Sequence, residues 1–535
     1  MDKQAKLLLG DEAIALGALH AGLGGVYAYP GTPSTEITEY IQEYTAANKA
    51  ECEGIHSRWC TNEKTAMEAA LGMSYAGRRA LVCMKHVGMN VCADAFVNSA
   101  VTGVNGGVVV LAADDPSMHS SQNEQDSRFY GKFALVPVFE PSNQQEAYEI
   151  VHYAFDLSEQ VKLPVIIRMT TRISHSRAII TRRPMRDMNP LNPDTNNRRW
   201  ILLPAIARKN NVSLVEKQPV LEQNAAQSPF NKVIEGKGKK GVIAFGIGYN
   251  YVMEVCKTNN LQLPVMKISQ YPLPKQKVEE FIAKYDEVLV VEEGYPVYEE
   301  LLRGIPDCGK FHGRLDGALP RTGELSPDAV APALGVSAVQ TRDIPAIMVN
   351  RPPALCVGCS HRDMYEELNT VLQNYPNKAV FGDIGCYTLG ALPPYSAINT
   401  CVDIGASITM AKGAAEAGVH PAIAIIGDST FTHSGMTGLL DCVNDNVQVT
   451  IIISDNSTTA MTGGQDSAGT NKLVNICTGL GVDPEHIVTI VPVKNRLEQN
   501  IEILKKEIDY KGVSVIMACR ECMQTLARKK KAAKQ

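Results

Sequence analysis

The sequence predicts an α/β protein made of several open parallel-sheet domains, and three observations lead there. Its 535 residues amount to several domains of roughly 150 residues. With 45% apolar and 20% charged residues, it can bury ordinary cores. Short β-branched runs also alternate with helix-length amphipathic stretches, the pattern of parallel strands covered on both faces. The formal charge of −5, from 52 Lys+Arg and 57 Asp+Glu, disfavours a nucleic-acid coat or polybasic membrane binder. No apolar run approaches the ~20 residues that cross a bilayer, and the opening MDKQAKLLLGDEAI turns acidic too early for a secretory signal. A cytoplasmic location is expected. The 14 cysteines are too dilute for a disulfide scaffold and suit a reducing, even anaerobic, compartment.

In chain order, residues 1–185 read as a first α/β domain, with strands in GGVYAYP (24–30), RALVCMKH (79–86) and GGVVVLAADD (106–115) and a helix over 62–77. Ala66, Ala69, Ala70 and Gly72 are small enough to let that helix lie close to its neighbours. From 186 to 240 the pattern dissolves into Asn, Pro, Gln and Lys, which predicts a polar connector. A second α/β domain covers 241–350, with strands at GVIAFGIG (241–248), LPVMKIS (263–269), EVLVVEEG (287–294) and AIMVN (346–350). A third covers 351–522, with strands in KAVFGDIG, PAIAIIGDS, VTIIISDN and VSVIMA. The basic tail 523–535 reads as a solvated helix end.

The sharpest chemical signal is GDST at 427–430, followed by VTIIISDNSTTAMTGGQ at 449–465. Each of Asp428 and Asn456 closes an apolar strand, so both belong at the carboxyl edge of a parallel sheet, where ligands bind. Mg²⁺ takes hard oxygen ligands and bridges to phosphates. Asp428, the Asn456 side chain and the Thr458 backbone carbonyl can supply three, with helix-start amides after Gly427 on the phosphate. A GDS alone is more often an ordinary strand-to-helix turn. CVGC at 356–359 and Cys386 in GDIGCYTLG form a second signal, compatible with zinc, redox chemistry or chance. Three thiols leave a tetrahedral sulfur site one short, and spacing alone does not select the fourth.

The segments EAIALGALHAGLGGVYAYPGTPSTEI, NEKTAMEAALG, MKHVGMNVCAD, ADDPSMHSSQNEQDSRFY, CVGCSHRDM, GDIGCYTLGALPP, DIGASITMAKG, GDSTFTHSGMTGL and DNSTTAMTGGQ resemble the large subunit of indolepyruvate:ferredoxin oxidoreductases. That family belongs to the thiamine diphosphate-dependent 2-oxoacid:ferredoxin oxidoreductases, whose cofactor motif is usually GDG followed by NN; here it reads GDS and DN. The resemblance implies a thiamine diphosphate-binding fold: a pyrimidine-binding domain (1–185), a transketolase C-terminal-like domain (241–350) and a diphosphate-binding, iron–sulfur domain (351–522). It puts Glu63 opposite N1′ of the aminopyrimidine, a position otherwise read as a surface or helix-cap carboxylate. It makes Glu63, Gly427, Asp428, Ser429, Asn456, Thr458 and Met461 cofactor-binding, with Asp428, Asn456 and Thr458 on Mg²⁺. A [4Fe-4S] cluster is implied on Cys356, Cys359, Cys386 and Cys522, with Cys519 the alternate fourth ligand and structural zinc the competing reading. Relatives commonly continue into a ferredoxin-like segment with two further clusters, whereas this sequence stops soon after Cys522. Electrons are therefore expected to pass to a partner or directly to an external acceptor.

Among substrate-facing candidates, Thr32 in YPGTPSTEI is catalytic by resemblance, and Ser34 shares its turn. Lys85 and His86 sit at a strand end, where either can orient a carboxylate or move a proton, and His86 is taken as catalytic. His119, Ser121, Gln122, Asn123 and Arg128 suggest an active-site loop or subunit contact. A pyruvate-type relative has an Arg near LAAD, where this chain has Asp114, so the cation for the substrate carboxylate is expected elsewhere. The implied reaction is 2-oxoacid + CoA + oxidised ferredoxin → acyl-CoA + CO₂ + reduced ferredoxin, on an aryl pyruvate such as indolepyruvate. A branched aliphatic 2-oxoacid is the alternative substrate. A small β subunit in an α₂β₂ assembly and ferredoxin are the implied partners. A nonoxidative thiamine diphosphate decarboxylase and a noncatalytic electron-transfer scaffold are the competing classes.

Overall fold

Every β-branched run named above except AIMVN is a strand in the structure, a computed structural model that describes residues 5–194, 198–304, 309–338, 345, 347–348, 354–401 and 403–532. Of the strand expected at 346–350, only Ile347 and Met348 are among these residues, and they form a turn, the Met348 amide donating to the Pro345 carbonyl at 2.8 Å; the rest lies outside the described residues. The chain forms two units, Met1–Asp343 and Ile344–Gln535.

The first unit holds a seven-stranded sheet. Across it run Gln270–Tyr271, Val138–Phe139, Val165–Thr170, Val108–Asp114, Arg79–Lys85, Leu23–Ala28 and His56–Trp59. All are parallel except the first, which is antiparallel to its neighbour. A second sheet is ordered Phe311–His312, Glu287–Val291, Lys240–Phe245, Val265–Ile268 and Lys232–Ile234, the last antiparallel. Both sheets contribute to one continuous apolar cluster, and Gln270–Tyr271, from the middle of the chain, completes the first sheet. The central strand Val108–Asp114 is buried at every position because helices cover both faces.

In the helix Glu63–Tyr75 the close approach falls on Ala66, Met67 and Ala70, while Ala69 and Gly72 are exposed and a Cβ on Gly72 would touch nothing. The 186–240 stretch carries helices Pro204–Glu216 and Gln218–Gln227, which set Leu214 and Leu221 into the core. An antiparallel pair that sequence reading does not reveal, Ala5–Leu9 with Arg177–Thr181, ties the two ends of the first α/β stretch together.

The first unit also buries a network of charges. Arg168 bonds Asp114 at 2.5 Å, the Glu293 carbonyl at 2.9 Å and the Glu140 carboxylate. Arg128 bonds Asp126 at 2.6 Å and Glu292 at 2.7 Å, and Arg314 meets Glu293 at 3.3 Å. These groups come from both sheets and are essentially excluded from water. Such charges persist only when each has its partner.

The second unit is built on a six-stranded parallel sheet ordered Thr400–Cys401, Ala379–Gly382, Ala422–Gly427, Val449–Asp455, Val513–Cys519 and Ile487–Ile490, with a small antiparallel pair of Thr458–Thr459 and Gln465–Asp466 beside it in the chain. Its strands alternate with period two. Ile451 and Ile453 join one apolar cluster while Ile452 joins the other, and Val515 and Met517 oppose Ile516 and Ala518 in the same way. Burial of each such side chain contributes ~1.5–3 kcal/mol. The helix Met523–Ala532 buries no residue. Among the described residues no helix is long and apolar enough to cross a membrane.

Candidate active site

The six parallel strands of the first sheet end on one edge, and the candidate residues of the N-terminal half lie at or after the ends of four of them. Glu63 opens the helix after His56–Trp59, capped by Asn62, which accepts from the Thr65 amide at 2.8 Å. It is 4% exposed. A Cβ on Gly88 would stand 2.7 Å from Glu63 Cγ, so glycine there lets the helix His86–Thr102 lie directly on the carboxylate side chain. Thr32 is half-buried in the turn after Leu23–Ala28, where Ser34 Oγ donates to the Gly31 carbonyl at 2.8 Å. A Cβ on Gly31 would approach Lys85 Cβ at 3.1 Å, which brings that turn against the end of Arg79–Lys85.

His86 is fully buried; its Nε2 lies 3.3 Å from Asn123 Oδ1, and its Nδ1 makes no hydrogen bond. Lys85 Nζ donates to the Ser120 carbonyl at 2.8 Å, and burial lowers its pKa to about 8 against the pull of Asp115. Burial pushes Asp115 up, but bonds from Ser121 Oγ (2.6 Å), Ser120 N (2.8 Å) and Thr171 Oγ1 (2.7 Å) prevail and hold it below its ordinary value. The structure thus gathers Thr32, Lys85, His86 and the 115–123 loop, with Glu63 packed behind Gly88.

Arg128 and His119 part from that loop. Arg128 is sealed inside the buried charge network, and His119 Nε2 is 3.3 Å from Glu324 Oε2. Gln122 and Asn123 are exposed. Asp114 is the partner of Arg168, so neither that arginine nor Arg128 is free for an incoming carboxylate. Lys85 is the cation this edge presents.

In the second unit, Asp428 follows Ala422–Gly427 and begins a helix that continues, through a wide π turn at Phe431–Gly435, to Asn444. Such turns frequently mark functional sites. Gly427 pairs with Ser454 on the adjacent strand, which puts Asp428 beside the DNST loop. Thr459 Oγ1 bonds Ser429 Oγ at 2.9 Å, and Asn456 Oδ1 accepts from the Thr458 amide at 3.2 Å. Burial raises the Asp428 pKa to about 7 against a contribution from Ser467. Asp428 Oδ2 and the neighbouring Ser467 Oγ are both buried without a hydrogen bond of ordinary geometry. Two orphaned oxygens beside a helix start and an amide side chain fit a hard cation carrying a diphosphate. Met461 is 53% exposed in the short turn that follows.

The thiols converge on the same sheet edge. Burial first, then the like charges of Cys359, Cys522 and Cys356, push the Cys386 thiol up to about 12. Cys359 is likewise raised by burial, with Cys356 and Cys522 as its neighbouring thiols. Cys519 is raised to about 11 by burial and by Asp455, whose Oδ2 is 3.9 Å from its sulfur. The structure therefore groups Cys356, Cys359, Cys386 and Cys522 and sends Cys519 towards the carboxylates. Among the described residues, no three of the four sulfurs lie within 4.8 Å of one another. A single zinc at ~2.3 Å from each sulfur requires a tighter set. A four-iron cluster holds its thiolates further apart, and four neighbouring thiols are the number of ligands it takes.

Sequence reading missed the support behind this edge. Asp383, in the same GDIG turn as Cys386, accepts from Ser407 Oγ at 2.6 Å and from the Tyr387 hydroxyl, while burial raises it to about 6. The Tyr387 ring would stand 2.9 Å from a Cβ on Gly427, so the glycine before Asp428 is sterically required. The acidic residue of GDIG was available as a signal; its partners at 387 and 407 were not.

Comparison with known proteins agrees with this layout. A family model described as "Pyruvate flavodoxin/ferredoxin oxidoreductase, thiamine diP-bdg" matches residues 16–226, and one described as "Thiamine pyrophosphate enzyme, C-terminal TPP binding domain" matches 383–518. The chain is 37% identical to the indolepyruvate oxidoreductase subunit IorA of Archaeoglobus fulgidus, across 96% of this chain and 86% of that one. The same-named subunit of Pyrococcus abyssi is 37% identical, across 99% and 87%. A solved 2-oxoglutarate:ferredoxin oxidoreductase from Magnetococcus marinus overlaps 58% of this chain and 62% of that one, with TM-score 0.48 and 16% identity. Fold and site together define a thiamine diphosphate-dependent 2-oxoacid:ferredoxin oxidoreductase. Within that class, the chain belongs to the family of the indolepyruvate oxidoreductase subunit IorA.

Proposed function

We propose that the chain oxidatively decarboxylates an aryl pyruvate, such as indolepyruvate, to acyl-CoA and CO₂, and passes the electrons through one [4Fe-4S] cluster to ferredoxin. The observation that carries the electron-transfer part is the meeting of four thiols at the strand edge that also bears Asp428. The names of the relatives support the aryl substrate. Thiamine diphosphate supplies, when bound, the electron sink that lets a 2-oxoacid lose CO₂.

The chain's own residues bind, orient and move protons. Asp428, the Asn456 side chain and the Thr458 carbonyl hold Mg²⁺ and with it the diphosphate, flanked by Gly427, Ser429 and Met461. Glu63, in a site of low dielectric, holds the proton shared with N1′ of the aminopyrimidine. Thr32 and His86 position the keto group, and Lys85 offers its ammonium to the substrate carboxylate. Cys356, Cys359, Cys386 and Cys522 hold the cluster. Residues 1–185 are the pyrimidine-binding domain, 241–350 the transketolase C-terminal-like domain and 351–522 the diphosphate-binding domain. A small β subunit in an α₂β₂ cytoplasmic assembly completes the enzyme.

Anaerobic purification with iron and labile-sulfide analysis, followed by an assay panel of aryl and branched 2-oxoacids with and without CoA, tests this reading. Close to four irons and CoA-dependent ferredoxin reduction on aryl pyruvates are expected. Full activity without iron or sulfide would reject it. Cys522→Ser should lower iron occupancy more than Cys519→Ser, and the reverse order would exchange the two assignments.

A further inference from the structure

Three helices begin around the Thr32 turn and bring together side chains that no step above uses. Asp11 lies in the first turn of Gly10–His20, Glu36 in the first turn of Thr35–Ala47, and His175 closes the short helix Thr171–His175. One ligand atom from each lies within 4.8 Å of the others. His175 Nε2 is 3.6 Å from Glu36 Oε1.

Asp11 is the informative member. It is 0% exposed, and neither carboxylate oxygen makes a hydrogen bond of ordinary geometry. Ser174 Oγ faces it without a hydrogen bond of ordinary geometry, and Thr38 Oγ1 and Glu36 Oε2 are likewise buried without one. A buried carboxylate without partners costs several kcal/mol, so natural sites of this kind are filled by an ion, by water or by a proton. Burial and the nearby Glu36 push Asp11 up to about 8, which identifies a proton as the competing occupant.

We propose that Asp11, Glu36 and His175 bind a divalent first-row transition ion. One imidazole nitrogen and two carboxylates suit Zn²⁺, Mn²⁺, Fe²⁺ or Co²⁺ better than Mg²⁺, which prefers an all-oxygen octahedron. Ligands ~2.1 Å from a tetrahedral centre are roughly 3.4 Å apart. The half-exposed Glu36, with three side-chain torsions, has the freedom to close that distance. The ion would fasten two helix starts and the end of a third helix beside the turn that carries Thr32, a positioning role rather than a catalytic one.

The test uses the full chain, purified anaerobically with whatever it natively holds, treated with chelator and returned to excess Mg²⁺ and thiamine diphosphate so that hard-oxygen sites are filled. Mn²⁺ is the probe. The expected result is one additional Mn²⁺ equivalent, with histidine-nitrogen modulation in its electron spin echo; a Mn²⁺ at the Asp428 edge would have no nitrogen among its oxygen donors. His175→Gln should abolish the nitrogen signal, and Asp11→Asn should weaken this Mn²⁺ at least tenfold. Should Asp11→Asn fail to fold, Glu36→Gln makes the same comparison at a half-exposed position. Equal Mn²⁺ binding by parent and variants, or no nitrogen modulation in the parent, would overturn the proposal and leave Asp11 as a buried neutral acid. Loss of Mg²⁺-dependent cofactor binding with this signal intact would instead count only against the Asp428 assignment.

Discussion

The arginine network of the first unit and the strand edge of the second treat buried polar groups in opposite ways. In the first, Arg128, Arg168 and Arg314 are matched against Asp114, Asp126, Glu140, Glu292 and Glu293, so the charges neutralise one another inside the protein. In the second, Asp428 Oδ2, Ser467 Oγ and His361 Nε2 are buried without a hydrogen bond of ordinary geometry near the carboxyl edge of the sheet. Matched charge is architecture and leaves nothing to offer a ligand. Unmatched polarity at a strand edge costs stability in the empty protein and is recovered when something binds.

Four substitutions probe that contrast. Glu63→Gln should have the largest effect: cofactor retained, but hydrogen–deuterium exchange at C2 of bound thiamine diphosphate slowed roughly 10²–10⁴-fold, the range of a lost acid–base partner. Unchanged exchange by NMR would remove Glu63 from that role.

Arg168→Met inverts the pattern. It leaves Asp114 and Glu140 buried without their cation and should cost about 3–5 kcal/mol. The chain's two tryptophans, Trp59 and Trp200, both lie in the first unit, so their fluorescence during denaturation reports it separately. A melt like that of the parent would mean the network is not the architectural element described here.

Asp428→Ala should weaken Mg²⁺-dependent thiamine diphosphate binding by about 100-fold, the upper end of what losing even an outer-shell partner costs. Calorimetric titration would check this, and unaltered affinity would contradict the assignment. The apo-protein should be no less stable, because a buried carboxyl whose pKa has risen is removed.

The smallest expected effect lies on Glu367, which burial raises from 4.5 to about 7 despite a 2.7 Å bond from Asn500 Nδ2. Between these two values the native state holds a proton that the unfolded chain releases. Stability from this group is therefore full below about pH 4.5 and is lost as pH rises through 7. Glu367→Gln should flatten that slope by roughly 1–3 kcal/mol. Hydrogen exchange of the helix Ser360–Leu372 at pH 5 and 8 would reveal an unflattened slope if the inference is wrong.

The sequence carried the interior of the fold clearly, because strands such as Val108–Asp114 and Val449–Asp455 are continuous apolar runs whose burial needs no other information. Short edge strands such as Lys232–Ile234 carry too few residues for a period to appear. Motifs confined to a few neighbouring residues, such as CVGC and GDST, were legible. Sites assembled across the chain were not: Arg128 read as a loop residue because Glu292, its partner, is 164 positions away. Asp11 and His175 were passed over for the same reason. Asp383 stands in the GDIG turn, where the local signal is its cysteine neighbour.

The backbone links the two devices of the second unit more tightly than their side chains alone suggest. The Arg520 amide donates to the Asp455 carbonyl at 3.0 Å and the Cys522 amide to the Asn456 carbonyl at 3.3 Å, so Cys522 and the proposed ligand Asn456 share one laced pair of loops. Air that oxidises sulfur at that corner would slacken the grip on the vitamin-derived coenzyme as well, and inactivation should release both together.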